Sequence, residues 1–198
     1  ELMATGEIEI RTQPDRVTVV SPDKPGTFSR VAGVLSLYNM DVLGAEAHSD
    51  EQGMAASEFR VSSQHGDIDW EPIENNLRLA LSGRLALDSR LADRAANARP
   101  RRATSALAPA APTVRFDDSA SSNATFLEVR APDMVGVLHR ITKAIADCGL
   151  DIRHARVLTL GNEVVDSFYV REPNGGRIND EAYKNEISRA ILHSLGEK

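Results

Sequence analysis

The chain has 198 residues, of which 41% are hydrophobic and 26% charged, and its formal net charge is -6. An acidic chain has no electrostatic reason to bind nucleic acid non-specifically, and no apolar run approaches the roughly 18 residues of a membrane-spanning helix, so we expect neither a nucleic-acid nor a membrane partner. The single cysteine, Cys148, excludes an internal disulfide, and without a secretory signal at its start the chain is expected to be cytoplasmic.

The first half of the chain predicts a β-β-α-β-β-α series. Polar and apolar residues alternate in the strands, whereas apolar residues recur at helical spacing between Phe28 and Tyr38. Thr27 is the expected N-cap of that helix and Asn39 its expected exit. The predicted elements are strands at 7–11 and 16–20, a helix at 28–38, strands at 41–49 and 54–63, and a helix from Asp69 through Leu85 and beyond.

The composition changes at residues 93–112, where Ala, Arg, Pro and Ser dominate and large apolar side chains are few. This composition predicts a solvated linker. Within it, the basic residues 99–102 (Arg-Pro-Arg-Arg) leave a second interpretation open, a docking patch for an acidic partner.

The second half of the chain repeats the first. Asp23 and Gly26 recur as Asp133 and Gly136, both at an offset of 110 residues. A repeat at a fixed offset predicts two copies of one structural unit. The predicted elements of the second copy are strands at 113–117 and 125–130, a helix at 138–148, strands at 151–160 and 163–172, and a helix at 179–195.

The repeat predicts an α+β fold of two domains, at 1–92 and 113–198, joined by the linker at 93–112. Each domain is expected to be ferredoxin-like, a four-stranded antiparallel sheet with two helices on one face. Few residues follow the last helix, so the leading strand of each unit is expected to take the place of a trailing fourth strand. The third strand of each unit is then the expected exposed edge.

A strand, then Asp-x-x-Gly opening an amphipathic helix, then Asn-x-Asp or Gly-x-Asp opening the next strand, resembles the ACT domain. The resemblance covers roughly residues 16–90 and 124–195. Members of this family are small modules that bind amino acids and regulate the proteins to which they are attached. The resemblance therefore implies a regulatory fold with a small amino acid as its ligand.

The second unit also resembles the last ACT domain of the bifunctional PII uridylyltransferase/uridylyl-removing enzyme family. The resemblance lies in residues 131–142 (APDMVGVLHRIT), 152–157 (IRHARV) and 164–170 (VVDSFYV). It implies a glutamine-sensing regulatory region of an enzyme that modifies the PII nitrogen-signalling protein, by uridylylation or, in actinobacterial relatives, adenylylation. The implied partners are the attached catalytic domains and, indirectly, the PII protein.

The catalytic motifs of such enzymes, a Gly-Ser followed by paired aspartates and an adjacent His-Asp pair, are not found in this sequence. We therefore expect no catalytic residues, no cofactor and no metal in this chain, and the Mg²⁺ of the enzyme is expected in its catalytic part. The five histidines have no zinc-ligand spacing. They are His48, His65, His139, His154 and His193.

The loop between strand and helix is the expected amino-acid site of each unit. A helix N-terminus offers amide protons to a carboxylate, a glycine lets the backbone approach, and the loop aspartate can accept from the ammonium. Met134-Val135 stands where the family has Arg-Pro, which removes a cation from the second loop. The predicted site residues are Asp23, Lys24, Pro25, Gly26, Thr27, Asn39, Asp41, Asp133, Met134, Val135, Gly136, Val137 and Asp151.

Two other functions remain open. The same Asp-x-x-Gly pattern also serves as ordinary turn chemistry, and the units would then be a ligand-free interaction module, including a homodimer through its sheet edges. A small hydrolase of the acylphosphatase kind would need an arginine in the first loop to hold phosphate. The loops offer Lys24 in one unit and no cation in the other.

Overall fold

The computed structural model describes residues 8–50, 53–63, 66–98 and 110–196. The first unit contains β1 (Glu9–Gln13), β2 (Arg16–Pro22), α1 (Thr27–Leu37), β3 (Met40–Ser49), β4 (Met54–Ser63), α2 (Trp70–Leu81) and α3 (Leu87–Asn97). The second unit contains β5 (Thr113–Asp117), β6 (Thr125–Pro132), α4 (Val137–Asp147), β7 (Asp151–Arg156), β8 (Thr159–Leu160), β9 (Glu163–Arg171) and α5 (Glu181–Ser194).

The strands form one antiparallel sheet in the order β1-β2-β4-β3-β7-β9-β6-β5, with the short β8 paired to β9. Each unit contributes four main strands and covers them with helices. The predicted α+β class with two ferredoxin-like units is confirmed. The leading strands β1 and β5 lie beside β2 and β6 at the two ends of the sheet, in the place that a trailing fourth strand would occupy.

The two units join through the third strand of each. β3 pairs with β7 over three positions, Gly44 with Arg156, Ala45 with Ala155, and Glu46 with His154. The two strands that were expected to be exposed edges therefore pair with each other within one chain. Alternate residues of every long strand point to the helices, and one hydrophobic core runs through both units.

Helices α1 and α4 meet above this strand junction. The helices pack closely at Gly33, since a Cβ there would be 2.7 Å from the Leu87 side chain of α3 and 2.8 Å from the His139 ring of α4. The buried His139 ring contacts the carbonyl oxygen of Ser29 at 2.7 Å and the Asp88 carboxylate at 2.8 Å. The ring therefore links α4 to the backbone of α1 and to the start of α3.

The prediction of one long helix from Asp69 through Leu85 is wrong. The helix ends at Leu81 because Gly83 adopts a left-handed conformation (φ 71°), and the Arg84 amide turns back to the Leu79 carbonyl at 2.8 Å. A separate helix, α3, follows and continues to Asn97. Its last residues, 93–97, fall within the predicted linker at 93–112 and are helical instead. The remaining linker residues 99–109, with the basic residues 99–102, lie outside the described residues.

Two local predictions also need correction. Thr27 is not the N-cap of α1: Gly26 holds that position at φ 85°, and the Thr27 hydroxyl donates to the Lys24 carbonyl at 3.0 Å. The strand predicted at 151–160 is interrupted between β7 and β8. Asn39 does end α1, with the positive φ of 57° that asparagine tolerates better than most residues.

Candidate functional site

The strand–helix loops of the two units share one backbone design. The Asp133 amide donates to the carbonyl oxygen of Asn162, in the hairpin before β9, at 2.8 Å. In the same way, the Asp23 amide donates to the carbonyl oxygen of Gly53, in the hairpin before β4, at 2.8 Å. Gly136 (φ 76°) and Gly26 (φ 85°) form the N-caps of α4 and α1. In each unit, a backbone hydrogen bond therefore fixes the start of the loop, and the loop ends at a helix N-terminus.

A cavity of about 560 Å³ opens beside the second of these loops. Four parts of the fold form it: the end of α1 with the start of β3, the β6–α4 loop with the start of α4, the end of α3, and the segment from the end of β7 to the start of β9. Its walls are Ala32, Ser36, Asn39, Met40, Asp41, Val42, Arg94, Ala95, Ala98, Asp133, Met134, Val135, Gly136, Val137, Leu138, Val157, Thr159 and Val164. The cavity is thus shared between the two units.

Seven of the predicted site residues line this cavity: Asn39, Asp41, Asp133, Met134, Val135, Gly136 and Val137. Two more, Pro25 and Gly26, line a second cavity of about 310 Å³ beside the first loop. The other four, Asp23, Lys24, Thr27 and Asp151, line neither cavity. The Asp151 carboxylate instead accepts a hydrogen bond of 2.9 Å from Arg153.

The N-terminus of α4 faces the shared cavity and is fixed by the first unit. The Gly136 amide donates to the Ser36 hydroxyl at 3.0 Å, a contact between residues 100 positions apart. The first turn of a helix concentrates unpaired amides and the positive end of its dipole. The Gly136 amide is already bonded to Ser36 and the Val137 amide to the Met134 carbonyl at 3.1 Å, so the positive end of the α4 dipole is what makes this cavity wall suited to an anion.

Arg94 is the charged cavity residue that the sequence analysis missed. Its guanidinium donates to the Asn39 side-chain oxygen, and its Nε is buried without a hydrogen-bond partner among the described residues. Within the described part of the chain, Arg94 is the one basic residue lining this cavity. The apolar spacing of Leu87 and Leu91, one helical turn apart, could have revealed a helix here, but composition favoured a linker.

A buried carboxylate lies on the same strand as the cavity-lining Val164. Asp166 occurs on the helix-covered face of β9, two residues after the cavity-lining Val164. It is fully buried, and neither of its oxygens has a hydrogen-bond partner among the described residues. Burial raises the pKa of Asp166 to about 7, and the nearby Leu158 backbone lowers it only in part.

The second cavity has a different character, because charged side chains that already pair with each other line it. The hydrogen bond from His139 lowers the pKa of Asp88, with a smaller contribution from Lys143 at 3.9 Å. Lys143 also lies 3.8 Å from Asp147. The first loop therefore borders an ion-pair cluster.

Metal and membrane features are limited in the described residues. No group of three or more His, Cys, Asp or Glu side chains within residues 8–50, 53–63, 66–98 and 110–196 is placed to hold a metal ion. In the same ranges, no helix combines the length and the apolar character needed to cross a membrane.

One antiparallel sheet shared by two units, with helices on one face and a cavity beside a strand–helix loop, describes an α+β fold of two ACT-like units. Residues 125–189 match the family model of the ACT domain, so the second unit belongs to that family, and the first unit repeats its fold. The match covers the β6–α4 loop and therefore the part of the cavity wall that Gly136, Val137 and Leu138 form.

Most of the chain is similar to bifunctional uridylyltransferase/uridylyl-removing enzymes. It is 33% identical over 184 residues to the enzyme of Gluconobacter oxydans (90% of this chain, 19% of the relative). It is 36% identical over 185 residues to that of Streptomyces coelicolor (89% and 22%) and 34% identical over 197 residues to that of Rhodospirillum rubrum (94% and 21%). The chain thus spans about a fifth of the length of these relatives and corresponds to their ACT-containing part.

Solved structures with partial likeness include a putative glycine cleavage system transcriptional repressor (TM-score 0.30, 14% identity, 91% of this chain and 90% of that chain). Another is the regulatory subunit of aspartate kinase from Thermus thermophilus (TM-score 0.24, 13% identity, 96% of this chain and 100% of that chain).

Proposed function

We propose that this chain is the amino-acid-sensing regulatory region of a PII-protein nucleotidyltransferase, with glutamine as the effector. One observation carries the proposal: seven site residues predicted from both units line a single cavity. Similarity to uridylyltransferase/uridylyl-removing enzymes along 90% of the chain supports the choice of parent enzyme. The effector, the catalytic domains and the PII protein are the partners of this proposal, in a cytoplasmic setting.

The chemistry of the cavity suits a small zwitterion. Its volume of about 560 Å³ lies within the range of roughly 300–1,000 Å³ that is usual for small-molecule sites. The α4 N-terminus favours the ligand's carboxylate, whereas the carboxylates of Asp41 and Asp133 favour its ammonium group. Apolar walls from Met40, Val42 and Val157 can accommodate the methylene groups of the ligand's side chain.

The location of the cavity explains how occupancy would be transmitted. A ligand that contacts Asn39 and Asp41 of the first unit and Asp133 of the second stabilises one arrangement of the two units. A ligand shifts a conformational equilibrium only by its difference in affinity between two states. The attached catalytic domains would respond to that difference.

Isothermal calorimetry with millimolar glutamine tests the proposal. We expect saturable heat with the wild-type chain and at least about tenfold weaker binding for Asp133→Asn, because a charged partner of the ammonium becomes neutral. Asp23→Asn, at the same loop position in the first unit, is the matched control and should bind as the wild type does. Absence of heat and of a melting shift in the wild type would refute direct sensing.

A ligand-free interaction module is the second candidate, favoured by the pairing of β3 with β7, which already uses the sheet edges for assembly. The end strands β1 and β5 are the positions where another copy could add to the sheet. Light scattering that shows a dimer, together with calorimetry that shows no response to any amino acid, would support this function instead.

A further inference from the structure

Helix α3 lies outside the repeated plan of the two units. It follows the second helix of the first unit, whereas the described part of the second unit ends with α5 and has no equivalent element. Only Leu87 and Leu91 of α3 are buried, and the rest of the helix is largely exposed. This helix nevertheless covers one side of the shared cavity through Arg94, Ala95 and Ala98.

The position of α3 is defined by two contacts with the second unit. Leu91 lies against the N-cap of α4, because a Cβ at Gly136 would be 3.5 Å from the Leu91 side chain. Asp88, at the other end of α3, accepts from His139 at 2.8 Å. Arg94 follows Leu91 by almost one turn, so its side chain enters the cavity beside the α4 N-terminus.

The guanidinium of Arg94 has hydrogen-bonding capacity that the described residues do not use. It carries five N–H donors, and its contact with Asn39 uses one of them. Its Nε is buried without a partner, which is unfavourable unless an acceptor arrives. A carboxylate is the acceptor whose shape and charge match this planar fork.

We propose that Arg94 binds the α-carboxylate of the amino acid in the shared cavity, and that α3 is consequently held in place more firmly when the cavity is occupied. This inference rests on the proposed function and adds the residue that recognises the carboxylate. Arg94 and the α4 N-terminus approach the same anion from two sides. Asp41 and Asp133 line other parts of the cavity, where they can bind the ammonium group of the ligand.

The coupling follows from how loosely α3 is attached. An element with few buried apolar contacts opens at a lower free energy than the core does. An additional charge-assisted contact between Arg94 and a bound carboxylate closes α3 over the cavity.

The test compares two ligands and two variants by calorimetry: glutamine and its α-methyl ester, with Arg94→Gln and Arg90→Gln. Arg90 is one turn earlier on α3 and is exposed, and its guanidinium reaches Asn76 at 3.5 Å. In the wild type and in Arg90→Gln, we expect esterification to weaken binding by at least about tenfold. Arg94→Gln should bind glutamine at least about tenfold more weakly and should barely distinguish the two ligands.

Hydrogen exchange gives the second measurement. Glutamine should slow exchange of the amides of residues 87–97 in the wild type and in Arg90→Gln but not in Arg94→Gln. An unchanged melting temperature of ligand-free Arg94→Gln would show that the variant folds. If Arg94→Gln binds glutamine as the wild type does and still rejects the ester, Arg94 does not bind the carboxylate, although amino-acid sensing stands. If the wild type binds no amino acid, both proposals fail.

Discussion

At the scale of single residues, Asp166 is the clearest conflict between sequence and burial. It faces the helices opposite Val129, and the equivalent position of the first unit, opposite Val19, is the buried but uncharged Ser57. An ionised carboxylate without a partner is costly in such a place, and the pKa of about 7 expresses that cost. Asp166 therefore makes stability depend on pH near neutrality.

We predict that Asp166→Asn removes this dependence. The unfolded carboxyl ionises near pH 3.8 and the folded one near 7, so wild-type stability falls as the pH rises through that window. Between pH 5 and 8 the wild type should lose about 3 kcal/mol more of its free energy of unfolding than Asp166→Asn does. Urea unfolding at both pH values measures this. The exposed control Asp67→Asn should keep the wild-type slope, and the same slope in Asp166→Asn would contradict the prediction.

At the scale of elements, α3 shows how an exposed helix can be positioned by a few contacts. Many of its residues are Ala, Leu and Arg, which favour a helix, and the Asp88 carboxylate and the Leu91 side chain fix its direction along α4. Without that docking, an eleven-residue helix is too short to be stable in water. Whether α3 stays helical therefore depends on its tertiary contacts around the shared cavity.

Leu91→Ala should undock α3. Leu91 is 6% exposed, and loss of a buried leucine costs about 2 kcal/mol or more, with the low end expected at this peripheral site. Hydrogen exchange of residues 87–97 should become faster, and glutamine affinity should fall because Arg94 is no longer held in the cavity. Leu79→Ala on α2, where Leu79 is 38% exposed, is the control. Equal effects of the two variants on α3 exchange would argue against specific docking.

At the scale of the whole molecule, the two units form one continuous structure. Their sheets are continuous through β3 and β7, and their cores form one hydrophobic cluster. The close approach at Gly33 and the buried His139 ring lock α1 to α4 directly above this junction. A single unfolding transition is expected for such a structure.

Gly33→Val should weaken the coupling between the unfolding of the first unit and that of the second. The new side chain would overlap Leu87 and the His139 ring, which lie 2.7 and 2.8 Å from the Cβ position. The single tryptophan, Trp70, reports on the first unit, whereas far-UV circular dichroism reports on both. In the wild type, the unfolding transitions measured by Trp70 fluorescence and by circular dichroism should coincide. In Gly33→Val, the two transitions should occur at different temperatures. The control Ala182→Val places the same side chain at an exposed site on α5. Coincident transitions in Gly33→Val would show that this contact does not couple the units.

Much of this protein was determined locally and could be derived from the sequence. The 110-residue repeat, the alternation of the strands and the glycines at the helix starts depend on neighbouring residues, so the α+β class and the positions of both loops were predictable. Errors occurred where local signals compete. Gly83 ends α2 through a left-handed turn, and the small, charged residues of α3 have the composition of a linker.

The tertiary structure decided which parts of the two copies meet. Both units offer the same strand edges and the same apolar helix faces, so local patterns do not specify that β3 pairs with β7 or that Asn39 and Asp133 line one cavity. Nor do they place Arg94 beside the N-terminus of α4, more than 40 residues away in the chain. These contacts are chosen by shape and burial across the whole core, because a helix or strand keeps its own periodicity whichever partner covers it.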